Sequence, residues 1–279
     1  MDKLETEPFG TFALSKTQSF IISLAGNLPD NKIGRWGISL CRKLALGSSK
    51  GPFDVTVEGG LNLRLHPKDN RCEKRVICGA QTWDSKERKA LTDMLKMYNE
   101  PRPFVFLDVG ANVGLYSLFL GEAARQLSKD VKLIAVEPDK TNAARLHINA
   151  KASNINITHM PVGIGAERMV ARLIGGEKNR GEIKIGMAQD NEPTIDVMPL
   201  YDLCQNLNLE EIDAMKVDIE GYDFQALEHF FKTAKQTLWP KRLVIETRDP
   251  SFDILGLCLA NGYELDFQAG INAVVSRKS

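Results

Sequence analysis

Residues 104–120 read FVFLDVGANVGLYSLFL, and the fold follows from the way this stretch changes character midway. Its first half, Phe104, Val105, Phe106 and Leu107, is a continuous apolar run, as expected of a strand buried on both faces in a parallel sheet. The run stops at Asp108. Beyond Gly110 and Gly114, apolar residues recur at Leu115, Leu118, Phe119, Ala123 and Leu127 with helical spacing. The pattern is strand, tight glycine turn, helix. Residues without a Cβ let such a turn bend sharply and approach a ligand, and the helix start offers unpaired N–H groups. In an open α/β sheet this is where a nucleotide-like ligand sits.

The spacing narrows the ligand. A dinucleotide turn reads G-x-G-x-x-G, with phosphates on the helix end; here Ala111 and Asn112 follow the first glycine, and the pattern is Asp108-x-Gly110-x-x-x-Gly114. A carboxylate at the strand tip repels a pyrophosphate but suits a ligand carrying an ammonium group. S-adenosylmethionine is such a ligand. The plain structural alternative is an ordinary strand-to-helix connection. Glu137 ends the next expected strand, where its two oxygens are positioned to accept both hydroxyls of a ribose. That arrangement serves nicotinamide enzymes and methyl-transferring enzymes alike. Pro138, Asp139 and Val162 are positioned to flank an adenine ring.

A second block, Lys216-Val217-Asp218-Ile219-Glu220-Gly221, puts three charged side chains on one side of an extended segment at the carboxyl end of the sheet. Burying ions costs several kcal/mol each unless they are paired, which favours function over packing. Glu246 ends the adjacent run Leu243-Val244-Ile245 and is expected to reach the same cleft. Asp218, Glu220 and Glu246 are the candidate bases, and Asp218 is also a candidate contact for the methionine part of the cofactor. No metal site is assigned, although the same oxygens would suit a divalent cation. The histidines (His66, His147, His159, His229) fall in separate elements, and His159 is the one near a strand end.

DVGANVGLYSL at 108–118, AVEPD at 135–139, KVDIEGYD at 216–223 and LVIE at 243–246 together resemble the FkbM-type family of S-adenosylmethionine-dependent O-methyltransferases. The resemblance runs from about Trp83 to the last residue, more weakly back to Phe53, and the DVGAN and KVDIEG blocks are its specific parts. It implies a Rossmann-like seven-stranded class I methyltransferase sheet, mostly parallel, with a C-terminal antiparallel hairpin. It also implies S-adenosylmethionine as cofactor and a hydroxyl of a sugar, glycan precursor or natural-product small molecule as acceptor. A helix starting at Asp84, with Trp83 at its edge, would lie across the cofactor cleft; core packing is the equal alternative for Trp83. Two rival functions stay open: an NAD-dependent oxidoreductase, which would need a third glycine at the right offset, and a non-catalytic nucleoside-binding scaffold.

Composition agrees with an enzyme of this kind. The 279 residues are 43% hydrophobic, enough for one α/β domain with an N-terminal extension. Lys and Arg total 36, as do Asp and Glu, so the basic excess typical of a nucleic-acid binder is missing. Five cysteines without metal-ligand spacing suggest reduced thiols and a cytoplasmic setting. The first ten residues are acidic, and the apolar stretch 20–25 is too short for a signal peptide or a membrane span.

Along the chain, residues 1–50 read as a helical extension of two short helices, and 34–46 as a basic amphipathic helix packing on the main domain or on a twin subunit. Residues 51–100 read as a β-hairpin around Gly59-Gly60 and the cofactor-covering helix, with Asp84 as N-cap. Residues 101–279 form the cofactor-binding domain, with alternating strands and helices. The glycine-rich stretch 163–196 reads either as a mobile lid or as a hairpin.

Overall fold

The structure, a computed structural model, describes residues 6–49, 51–176, 179–187 and 192–278; most of the acidic N-terminal stretch, with Lys50 and Lys178, lies outside them. Helices α1 (Lys16–Gly26) and α2 (Lys32–Leu46) form an antiparallel pair. A capping box between Ser15 and Gln18 starts the first, and Asn31, whose side chain accepts from Gly34 N, starts the second. Strands β1 (Phe53–Thr56) and β2 (Asn62–Leu65) then make the expected hairpin, with Gly59 and Gly60 at positive φ in its turn. Its base is an ion pair, Arg64 Nε to Asp54 Oδ1 at 2.8 Å, with both side chains buried.

Helix α3 (Arg71–Gly79) has no counterpart in the reading above, although Asn70 caps it and Glu73 follows three residues later. Helix α4 (Ser85–Met97) occurs where expected, but Asp84 does not cap it. Asp84 has φ 42, and its carboxylate instead accepts from the Tyr116 hydroxyl at 3.1 Å.

Next come β3 (Phe104–Val109), α5 (Leu115–Leu127), β4 (Val131–Val136), α6 (Lys140–Ser153) and β5 (Thr158–Met160). The stretch 163–196 is neither a simple hairpin nor unstructured. It holds β6 (Gly163–Gly165), β7 (Met169–Ile174), β8 (Lys184–Met187) and β9 (Thr194–Pro199), a separate four-stranded sheet in the order β6-β9-β7-β8. Helix α7 (Leu200–Asn206), also unforeseen, leads into β10 (Ala214–Val217), α8 (Asp223–Thr233), β11 (Arg242–Glu246), α9 (Ile254–Ala260), β12 (Tyr263–Ala269) and β13 (Asn272–Arg277).

The main sheet has seven strands in the order β12-β13-β11-β10-β3-β4-β5. From β11 to β5 they are parallel, and β13 pairs antiparallel with both β11 and β12. This is the seven-stranded, mostly parallel sheet with a C-terminal antiparallel hairpin that the resemblance implies. All six residues of β3 are buried, and alternation divides them between two cores: Phe104 and Phe106 pack with α4 and α5, whereas Val105, Leu107 and Val109 pack with α7, α8 and α9. Strand order reverses beside β3, so β3 and β10 part at their carboxyl ends and leave a crevice there.

Candidate active site

That crevice is a cavity of about 600 Å³, within the range of pockets that hold a drug-sized ligand. The ends of β3, β4, β10 and β11 form its floor. Its other walls come from α3, through Arg71, Cys72 and Arg75, and from the second sheet, through Ile164, Leu173 and Ile185. Trp83 lines the cavity and is also buried edge-to-face on Tyr116, with ring centroids 5.2 Å apart, but none of the α4 residues that follow lines the cavity.

The first turn is tied to the second strand. Gly110 N and Ala111 N both donate to Val136 O, and Asn112 N donates to Glu137 Oε2 at 2.8 Å. Glu137 Oε1 accepts from Asp139 N at 2.8 Å. Each carboxylate oxygen is thus fixed by one backbone N–H and retains lone-pair capacity. Burial, above all, pushes the Glu137 carboxyl up to about 8, with the Asp139 charge adding to it. The two glycines serve chain packing more than ligand approach. At Gly110, φ is 75 and a Cβ would collide with the Asp218 carbonyl oxygen; at Gly114, φ is 78 and a Cβ would press on Leu146.

Asp108 departs from the expectation. It is fully buried and does not line the cavity, and its Oδ2 accepts from Ser117 N at 3.2 Å and Ser117 Oγ at 2.8 Å. The strand-to-helix turn carries the start of α5 back over the strand tip, so the carboxylate meets the helix's first turn before it can meet a ligand. Burial raises its pKa, and the nearby Lys216 charge opposes that rise. The ammonium expected beside this acid belongs to the chain itself. Lys216 Nζ lies 3.1 Å from Asp218 Oδ2 and 3.2 Å from Gly110 O, at the cavity wall. Burial works against its charge, but Asp218 and Asp108 together outweigh that and raise its pKa.

Asp218, Glu220 and Glu246 converge. Each offers an oxygen within 4.8 Å of the others, and all three line the cavity. The loop that brings them together is shaped by its backbone: Glu220 has φ 49 and Gly221 φ 99, while the Asp223 carboxylate accepts from Ile219 N at 3.0 Å and Gly221 N at 3.2 Å. A glutamate in the left-handed region is uncommon and carries strain of the kind that gathers at functional sites. Arg248 Nε sits 2.6 Å from Glu246 Oε1. Burial first, and the Asp218 charge second, push both Glu220 and Glu246 up to about 7, with Arg248 opposing. Such a group takes and releases a proton near neutrality.

Of the residues singled out from sequence, Gly110, Ala111, Asn112, Glu137, Pro138, Val162, Asp218, Glu220 and Glu246 line one cavity. Gly114 and Asp139 do not. Asp139 caps α6 by accepting from Asn142 N at 2.8 Å, and it binds Arg180 Nη2 at 2.5 Å. His159 is bonded to Glu137 O and to His147 and stays outside. Asn142 and Arg180 were missed as cavity residues and carried no sequence signal; Lys216 was read with Asp218 and Glu220 as a charge favouring function, but was given no role.

A family model described as the methyltransferase FkbM domain matches residues 108–264, more than half of the chain. This chain belongs to the FkbM methyltransferase family. Its activity class is methyl transfer. Among curated proteins, none matches the sequence. Similar solved structures include a SAM-dependent methyltransferase from Agrobacterium tumefaciens, 10% identical with a TM-score of 0.48, the match covering 83% of this chain and 72% of that one. The METTL16 methyltransferase domain is 9% identical with a TM-score of 0.47, covering 92% and 90%. A ribosomal protein L11 methylase from Lactobacillus delbrueckii subsp. bulgaricus is 13% identical with a TM-score of 0.40, covering 69% and 79%.

Proposed function

We propose that this FkbM-family chain is an S-adenosylmethionine-dependent O-methyltransferase acting on a hydroxyl of a sugar, a glycan precursor or a natural-product small molecule. The observation that supports it best is the convergence of Asp218, Glu220 and Glu246 at the cavity wall. A hydroxyl becomes a good nucleophile only as its proton leaves, and a carboxylate with a pKa of about 7 is a competent acceptor near neutral pH. Glu246 is the preferred base, with Glu220 beside it. Arg248 positions the Glu246 carboxylate, and Lys216 links Asp218 to the glycine turn by donating to Gly110 O.

When bound, S-adenosylmethionine supplies a methyl group already activated on a sulfonium, which leaves the chain to align, to exclude water and to take a proton. The residues present fit such a group. The Gly110–Asn112 turn and the Glu137 carboxylate face the cavity, where the lone pairs of Glu137 suit ribose hydroxyls, and Pro138 and Val162 suit the flanks of an adenine. Asn142 Oδ1 is buried at the same wall without a hydrogen-bond partner, an acceptor that a donor of the nucleoside would satisfy.

Two measurements test the proposal. Calorimetry with S-adenosylhomocysteine and NAD side by side should give micromolar-range binding, on the order of 8 kcal/mol, for the first only. Transfer of labelled methyl to a panel of hydroxylated acceptors should fail in the Glu220→Gln, Glu246→Gln double variant while cofactor binding persists. Undiminished transfer in that variant would overturn the assignment of the base.

A further inference from the structure

Helices α1 and α2 lie side by side on α3 and bury only one face each. Inward, Ala25, Ile38, Ala45 and Leu46 join the core. Outward, α2 presents Ile33, Trp36, Leu40 and Leu44, spaced as a single helical stripe, and α1 adds Phe20 and Leu24. Trp36 is 69% exposed and Ile33 81%. Scattered apolar residues on a surface need no explanation, but six large ones on two adjoining helices do.

Charge says what covers them. The whole chain is neutral, yet residues 16–46 contain five basic residues (Lys16, Lys32, Arg35, Arg42 and Lys43) against one acid, Asp30. Asp30 is already paired with Arg35 at 2.6 Å. Lys16, Lys32 and Lys43 are exposed, Lys16 one turn before Phe20 and Lys32 and Lys43 adjacent in sequence to Ile33 and Leu44. A second copy docked by a two-fold axis would set this basic surface against itself. An anionic lipid surface complements it: apolar side chains enter the acyl boundary, Trp36 sits at headgroup depth, and the lysines meet lipid phosphates. Among the described residues no helix is long and apolar enough to cross a membrane, so such contact would be peripheral.

We infer that the α1–α2 face is a docking surface for anionic phospholipid bilayers. Attachment is through the exposed stripe on α2 with Lys32 and Lys43 at its border, and it is independent of the methyl-transfer reading. The chain's three tryptophans provide a readout, because Trp83 and Trp239 are buried and Trp36 alone is exposed. Full-length protein mixed with phosphatidylglycerol-containing vesicles should co-sediment and shift its tryptophan emission to the blue, and pure phosphatidylcholine vesicles should give much less of both. Added salt should weaken binding, as screening requires. Lys32→Glu with Lys43→Glu should lower the vesicle affinity at least about tenfold. Trp36→Ser should abolish the spectral shift and weaken sedimentation. Both variants alter exposed side chains, so unchanged circular dichroism is expected and keeps a null result meaningful. Failure to bind anionic vesicles would overturn the inference. So would a dimer in sedimentation equilibrium that Trp36→Glu dissociates, because the stripe would then be covered by a second copy.

Discussion

On the proposed function, Glu246 is the base. Replacing it with glutamine keeps the shape and removes the base, so kcat should fall about a hundred- to ten-thousand-fold. S-adenosylhomocysteine affinity, read by calorimetry, should stay near wild type. The activity of the unmodified protein should rise with pH through about 7, because the base must be ionised and burial holds both Glu220 and Glu246 near that value. Asp218 and the two glutamates repel one another, so the limb belongs to the cluster rather than to one residue. In Glu246→Gln the limb should shift or vanish. Gly110 is a second case at this scale. Gly110→Ala places a methyl group on the Asp218 carbonyl at a φ that alanine resists, which should cost at least about 1–3 kcal/mol in urea unfolding and abolish cofactor binding. The glycine was legible from the sequence, but its reason was not, because the neighbouring chain that enforces it lies more than a hundred residues away.

Among the elements, the β1–β2 hairpin and the second sheet repay different experiments. The hairpin rests on Asp54, which pairs with buried Arg64 and accepts from Gly10 N at 2.6 Å and Phe12 N at 3.1 Å. Asp54→Ala removes one partner of a buried pair and should cost about 3–5 kcal/mol, measured as a shift in the urea midpoint. The hairpin itself was readable from alternation and Gly59-Gly60, whereas the ion pair beneath it was not. Residues 179 and 180, which precede β8 of the second sheet, are tied to α6 and to the start of α3. Arg180 N donates to Asp69 O at 2.7 Å, Asn142 Nδ2 donates to Arg180 O at 3.2 Å, and Arg71 N donates to Asn179 Oδ1 at 3.0 Å. Ligand in the cavity should therefore slow hydrogen exchange at residues 179–187; unchanged exchange would mean that this sheet does not cover the cofactor. Its strands escaped the sequence reading because no long buried run or clean alternation marks them: β6 is three residues, and β7 and β8 each bury a single residue, Ala171 and Ile185.

Across the whole molecule, two sets of acids set the response to pH in opposite directions. Burial works against the ionised forms of Asp54, Asp69 and Asp213, but hydrogen bonds from Arg64, Arg145 and Arg102 outweigh it and hold these carboxyls low. Their stabilisation is present above their unfolded pKa near 3.8 and is lost as pH falls. Glu137, at about 8, and Glu220 and Glu246, at about 7, behave oppositely. The stability they leave intact below about 4.5 drains away as pH rises through 7 to 8, because the unfolded chain gives up these protons first. The urea midpoint should therefore peak near a pH of about 5 and decline toward 8. S-adenosylhomocysteine should offset part of that decline if the Glu137 carboxylate accepts its hydroxyls.

The amino-acid order alone determined the alternation of strands and helices, the glycine turn after β3, the strand-end glutamate and the trio of acids, because each depends on local periodicity or on a short motif. The tertiary structure decided which way those groups face. Asp108 turns inward because the first turn of α5 folds over it, the Lys216 charge acts on it from nearby, and the second sheet lines the cavity. Burial and pairing depend on chain segments far apart in sequence, and those meet only once the whole sheet has formed.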